Sequence, residues 1–416
     1  MTGARDYAVV TAAYWGFTLT DGALRTLVLL HFYRLGHSPF TLAVLFLLYE
    51  AAGIAANLGS GWLAARFGIT RTLAAGMATQ IAGLLMLSSL DPAWGEAASV
   101  AWAVVAQGVS GVAKDLTKTA SKSAIKVTAA AAPGALFRWT AWFTGSKNAM
   151  KGAGFFLGGA LLGSVGFRPA LWLMAGALGL VLAGVLFALP PLFGKAKASR
   201  SAREFLAKSR GVNLLAAARI TLFAARDVWF VVGLPVFLYA HGWTFAGVGA
   251  YLALWTVGYG AVQAAVPALV RRSPDGLSRE VPAARAWAFG LAAVPALLGL
   301  VLALVPPARP DLVVAAGLGL FGAAFAVNSS LHSYLILAYA GSEKAAEDVG
   351  FYYAANAAGR LLGILLSGAL YQAGGLVACL AGAAALLAVC WTTSLALPVP
   401  HTRPARPEPH DKELFR

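Results

Sequence analysis

The sequence predicts an all-α membrane protein with 12 transmembrane helices in two pseudo-symmetric six-helix halves. Three observations carry that prediction. Of 416 residues, 59% are apolar and only 12% charged, with mean hydropathy +0.72, a balance that leaves too little polar surface for a water-soluble globule of this size. Apolar runs of about 18 residues or more, long enough to cross a bilayer as a helix, recur between short polar breaks. Short stretches of the first half also reappear at matching places in the second.

Taken in order, the predicted spans are 8–32, 40–65, 72–90, 98–123, 138–163, 168–190, 213–239, 243–270, 285–305, 311–340, 347–371 and 374–397. MTGARDY leads directly into the first span, with no cleavable signal pattern. A polar, basic segment at 191–212 separates spans six and seven. The predicted organisation is therefore an N-terminal six-helix bundle (1–190), a cytoplasmic basic linker (191–212), a C-terminal six-helix bundle (213–397) and a cytoplasmic tail (398–416). Cys379 and Cys390 both lie in the last span, which excludes a disulfide framework and a thiol relay.

Orientation follows from the Lys and Arg residues. With the N-terminus inside, the cytoplasmic segments hold eighteen of them and the opposite loops only Arg34, Arg168 and Arg309. Both termini are expected in the cytoplasm. The remaining eleven lie within spans or at their ends. Facing lipid, they would cost roughly 30 kcal/mol on the mildest insertion scale. A hydrated central cavity is implied.

The repeat is read from two pairs of positions. Lys151 and the glycine-rich run after it (GAGFFLGGAL) align with Arg360 and its run (LLGILLSGAL). Asp21 aligns with Asp227, and Gly36 and Gly242 follow at the same offset. Two parallel six-span halves around a midplane site are the major facilitator arrangement. The loop from Gly61 through Arg66 and Gly68 to Arg71 resembles that superfamily's G-x3-D/E-R-x-G-x-R/K-R/K loop, with Ala65 where the acid usually stands. Ala65 cannot make the inter-helix charge lock that the acid makes elsewhere. Gly154, Gly158 and Gly159 resemble the antiporter motif G-P-x-x-G-G, with Phe155 in place of Pro; plain helix packing explains such spacing as well.

The intramembrane charges are the candidate functional residues. Lys114, Lys118, Lys122 and Lys126 recur every fourth residue and form one stripe on span four. Lys122 and Lys126 lie near the interface and can snorkel. Asp115 is the local counter-charge for the deeper pair. Lys147 and Lys151 fall mid-span in helix five and Arg360 mid-span in helix eleven. Asp21 and Arg25 are spaced i, i+4 and can pair with each other, either as a fixed structural pair or as a gated one. Arg219 and Arg226 share a face of span seven beside Asp227. Substrate binding is therefore assigned to Arg25, Lys114, Lys118, Lys147, Lys151, Arg219, Arg226 and Arg360. Asp21, Asp115, Asp227 and Glu50 are candidates for proton coupling. Asn328, His332 and Asn356 read as helix–helix hydrogen-bonding groups.

No phosphate-binding glycine loop, nucleophile elbow or His/Cys metal cluster is present in the sequence, so neither enzyme chemistry, a metal nor a cofactor is expected. Nucleic acid is not an expected partner.

The stretches YWGFTLTDGALR, GVAKDLTKTASKSAIK, GSKNAMKGAGFFLGGALL and KSRGVNLLAAARITLFAARDVWFVVGLPVFL, with ALWTVGYG of span eight, resemble the organoarsenical efflux permeases of the ArsJ family. The likeness is dense over spans one to eight and looser after them. It implies a secondary transporter of the bacterial inner membrane that exports 1-arseno-3-phosphoglycerate by alternating access and confers arsenate resistance. It also implies a functional, not necessarily physical, link to glyceraldehyde-3-phosphate dehydrogenase, which makes that ester from arsenate. The alternatives are a proton-coupled exporter of another phosphorylated metabolite, a sugar or a drug, and a non-transporting membrane sensor or scaffold.

Overall fold

The computed structural model describes residues 2–129, 135–190, 209–270, 273, 275–305, 307–339 and 345–399; within these, side chains are described except at 2–4, 57–67, 122, 125–145 and 345–350. Lys122, Lys126, Ala65 and Arg66 with most of their loop motif, the linker segment 191–208 and the tail from residue 400 thus lie outside the described side chains or residues.

Helices account for nearly all of the described chain, and it contains no strand. The first six spans are α1 (Thr2–Arg34), α2 (Pro39–Phe67), α3 (Ile69–Ser88), α4 (Glu96–Ala129), α5 (Ala135–Ser164) and α6 (Phe167–Ala188). Span seven is broken into α7 (Arg210–Phe230) and α8 (Gly233–Ala240). Then come α9 (Phe245–Leu269), α10 (Glu280–Leu304) and α11 (Pro310–Tyr339). Spans eleven and twelve are the two arms of α12 (Ala345–Leu395), whose backbone leaves the helical region at Gly374 and Gly375. Seven described segments are apolar and long enough to cross a membrane on composition alone. The helices carrying most of the intramembrane charge, α1, α4 and α5, are not among them.

Matching turns place matching helices. Ser38 accepts from the Thr41 amide and caps α2, and Pro39 fits the first helical position, where its missing N–H costs nothing. Thr244 caps α9 in the same way, through the Gly247 amide. Before each cap stands a glycine with positive φ, Gly36 at 90° and Gly242 at 86°.

The aligned runs of α5 and α12 also pack alike. Gly154 lies against the backbone of α1 near Leu19 and Ala23, and Gly363 lies against α7 near Ala224. One turn on, Gly159 meets the Phe245 carbonyl of α9, and Gly368 meets Pro39 and Phe40 of α2. Each run thus joins its own half on one face and the opposite half on the other. This is the packing reading of the α5 glycines.

Where the first run has Gly158 against Ala23, the second has Ser367. Its buried hydroxyl accepts from the amides of Val232 and Gly233, both at 3.2 Å. Those amides are free because the helix breaks between α7 and α8, where Pro235 also cannot donate to the ladder. Ser367→Ala is expected to leave two buried amides unsatisfied and to lower stability by about 1–3 kcal/mol per amide, measurable by thermal unfolding of purified protein.

Among the described residues, apolar packing is continuous across both halves at the end bearing the turns 36–38 and 241–244, through Leu27, Leu42, Leu45, Val228, Leu234 and Ile364. Toward the termini it divides into two separate clusters. One holds Val10, Ile69, Leu73 and Leu178, the other Val212, Val281, Leu335 and Tyr352. The turn-bearing end is the closed one. There Tyr33 packs edge-on against Tyr239, and the Phe40 amide donates to Gln372 at 3.3 Å. Gly368→Leu is expected to pry α2 from α12. In a cysteine-free background, a Phe40→Cys probe should then react faster with a membrane-impermeant thiol reagent from the side opposite the termini. An unchanged rate would show that the seal does not depend on this approach.

Candidate functional site

Midway along the spans, four buried carboxylates and six cations come together from both halves. Glu50 of α2 is the centre. Its Oε1 accepts from the Arg25 guanidinium of α1 and, at 2.6 Å, from Nη2 of Arg360 on α12. Its Oε2 accepts from Lys114 Nζ of α4 at 3.3 Å. One carboxylate is therefore shared by three cations, and the Glu50–Arg360 pair ties the first six spans to the last six. Arg360 Nε also lies 3.7 Å from Asp227. Asp227 in turn accepts from Arg226 Nε at 2.6 Å and from Arg226 Nη2 at 2.5 Å. On the α4 side, Asp115 accepts from Lys118 at 2.8 Å and sits 3.8 Å from Lys114.

The i, i+4 pairing expected between Asp21 and Arg25 does not form. Asp21 accepts instead from the Tyr49 hydroxyl, and Arg25 reaches past it to Glu50. Tyr49, which the sequence reading passed over, is the organiser. Its ring lies 4.5 Å from the Arg25 guanidinium and 4.2 Å from Lys114 Nζ, so one side chain orders an acid and two cations. The only hint of it in the sequence is its place next to Glu50 in an apolar run.

Lys151 stands apart from these pairs. Among the described residues it has no carboxylate within 4 Å, and its ammonium lies 5.6 Å from the Phe155 ring. Its electrostatic neighbours include three cations, Arg360, Arg25 and Arg226, and two carboxylates, Asp21 and Glu50. Lys147, one turn toward the termini on α5, is partly exposed and is engaged by its surroundings. Arg219 lies outside the cluster: it points to α11, where it donates to the Ser329 carbonyl at 3.0 Å and hydroxyl at 3.1 Å.

Two features set the electrostatics. Among the described residues, Arg25, Lys114, Lys118, Lys151, Arg226 and Arg360 face Glu50, Asp21, Asp115 and Asp227, an excess of two positive charges. Exposure is also unequal. The side chains of Arg25, Lys114, Arg226 and Arg360 are 11–20% exposed, against 2% for Glu50 and Asp227 and 5% for Asp115. The cations are thus the more accessible members of the cluster and the acids the more buried. Most of the cations expected to await a ligand are nonetheless held by carboxylates here, because Glu50 serves three of them at once.

The fold agrees with the comparisons. The sequence model of the Major Facilitator Superfamily matches residues 8–346. The chain belongs to the major facilitator superfamily. It is a multi-pass membrane transporter of that family's type. No curated protein matches it. Among solved structures it is similar to a mutant of the nucleoside transporter NupG, at TM-score 0.75 and 12% identity, covering 95% of this chain and 100% of that one. A POT family transporter in complex with 5-aminolevulinic acid gives TM-score 0.70 and 13% identity over 94% of this chain and 95% of that one. A bacterial homologue of the iron transporter ferroportin, in its inward-facing state, gives TM-score 0.70 and 14% identity over 93% and 98%. At these identities the likeness is one of fold. The family's charged loop is only partly in view: Arg71 is exposed at the start of α3, and the side chain of Arg66 is not described.

Proposed function

We propose that this transporter exports a small organic polyanion, specifically 1-arseno-3-phosphoglycerate, across the bacterial inner membrane, with both termini in the cytoplasm. The observation that supports an anionic cargo is Lys151, a mid-membrane cation with no carboxylate within 4 Å among the described residues and with three cations around it. Such a residue is costly without a negative partner, and a cargo bearing anionic groups at both ends supplies one. Arg25, Lys114, Lys118, Lys147, Lys151, Arg226 and Arg360 are the proposed binding set. Arg360, Arg226 and Arg25 suit bidentate contact with phosphoryl or arsenyl oxygens. Arg219, assigned to the set from sequence, is left out because it points to α11.

In this reading Glu50 holds the place of the cargo. It neutralises Arg25, Lys114 and Arg360 between transport cycles, and an arriving oxyanion competes for the same three groups. Exchange loosens the Glu50–Arg360 tie across the halves and lets them rock. Export of an anion is downhill by about 2.3 kcal/mol per charge per 100 mV when the cell interior is negative. Protons are not required. Asp21→Asn is therefore expected to keep potential-driven uptake into inside-out vesicles at zero pH gradient; loss of that uptake would make Asp21 an obligatory proton carrier.

The specific cargo is tested by growth of an arsenate-sensitive strain expressing this chain, with and without the dehydrogenase that makes the ester. Resistance only with the dehydrogenase is the expected result. Resistance without it would mean free arsenate, or something unrelated, is carried.

A further inference from the structure

We propose a second anion site inside the last six spans, formed by Arg219 of α7 with Asn328 and His332 of α11, that takes a halide-sized monovalent anion, chloride in the cell. Arg219 is 5% exposed, and among the described residues no carboxylate lies within 4 Å of it. Two of its contacts, to the Ser329 carbonyl and hydroxyl, are made through Nη1, while its Nε is buried with no hydrogen-bond partner. Asn328 and His332 are fully buried, and neither the amide nor the imidazole has a partner for either of its polar atoms. The helix–helix hydrogen bonds expected of these two side chains are thus not what the structure shows.

Arg219 and His332 are neighbours, and helix spacing puts Asn328 next to His332. Positions 328 and 332 are one turn apart on α11, and Ser329, which binds Arg219, lies between them in sequence and within the same third of the helix surface. His332 and Tyr352 both count Arg219 among their electrostatic neighbours, and the Arg219 guanidinium lies 4.8 Å from the Tyr352 ring and 4.0 Å from the Phe223 ring.

Several unsatisfied polar groups beside an unpaired buried cation are not tolerated without compensation. The donors available are the Arg219 Nε–H, the Asn328 NH2 and one N–H of the imidazole, beside a fixed positive charge. That set selects an anion and repels a cation. Size is limited by close helix packing, because Gly359 of α12 abuts the Ile220 backbone of α7 next to Arg219. That close packing is why the proposal commits to a single monovalent ion and not to a phosphoryl group. Occupied, the site would neutralise Arg219 and fix α7 against α11. It stands independently of the midplane cluster.

The test is thermal unfolding of the purified full chain in sodium chloride against sodium gluconate at equal ionic strength. Wild type and Lys151→Gln are expected to show a saturable, chloride-specific rise in Tm of a few degrees. Arg219→Gln is expected to lose it. Asn328→Leu, which keeps the charge, is expected to need more chloride for the same rise, and it serves alone if Arg219→Gln does not fold. Equal Tm in the two salts would overturn the proposal in favour of water at these groups. A chloride effect that persists unchanged in Arg219→Gln or in Asn328→Leu would overturn it too, as would stabilisation by inorganic phosphate but not chloride.

Discussion

Lys151→Gln is expected to bind an anionic cargo roughly 10–100-fold more weakly while unfolding at the same temperature as wild type or higher. The affinity loss follows from removing one hydrogen bond to a charged group, worth about 1.5–3 kcal/mol, at about 1.4 kcal/mol per tenfold. The stability half follows from its surroundings: Arg360, Arg25 and Arg226 repel it against the longer-range attraction of Asp21 and Glu50, and no carboxylate within 4 Å is lost with it among the described residues. Titration calorimetry with 3-phosphoglycerate, a stable relative of the proposed cargo, reads the first quantity, and thermal unfolding the second. A residue kept for structure gives the opposite pattern, with Tm falling and binding unchanged.

Glu50→Gln is expected to be the most damaging single change in the chain. It leaves Arg25, Lys114 and Arg360 together around a neutral amide. Removing one partner of a buried ion pair costs about 3–5 kcal/mol, and here three cations lose the same partner. The variant should unfold at markedly lower temperature and should not transport. It should also gain more than wild type from sulfate or phosphate in the buffer, because those ions can occupy the vacated position. Destabilisation without recovery by oxyanions would show that Glu50 is a structural carboxylate whose place no ligand takes.

The fold was legible because its signals are long and redundant. Apolar runs mark the spans, and Lys151 with Arg360 and Asp21 with Asp227 mark the repeat. The break in span seven has no such signal: residues 231–235 read as one apolar run, and the amides the break frees are met by Ser367, far away in sequence. Helix starts also ran ahead of expectation, with α7 beginning at Arg210 inside the predicted linker and α10 at Glu280. The site was legible as a set of residue types but not as a set of pairs. The i, i+4 spacing made Asp21 the natural partner of Arg25, yet the partner is Glu50 on the next helix, with Tyr49 taking Asp21. A periodic pattern reports which residues share a face. It does not report what the neighbouring helix brings to that face, and one carboxylate shared by three helices has no trace in spacing. Arg219 and Arg226 make the same point, since seven residues on one face place them in different neighbourhoods.

The most direct test is arsenic accumulation in inside-out vesicles. They would be supplied with arsenate, glyceraldehyde-3-phosphate, NAD and glyceraldehyde-3-phosphate dehydrogenase under an imposed potential. Vesicles bearing the wild-type chain should accumulate arsenic only when the dehydrogenase and its substrates are all present, and those bearing Lys151→Gln should accumulate far less. Equal accumulation in wild-type and Lys151→Gln vesicles, or none above empty vesicles, would contradict a midplane site built for a polyanion.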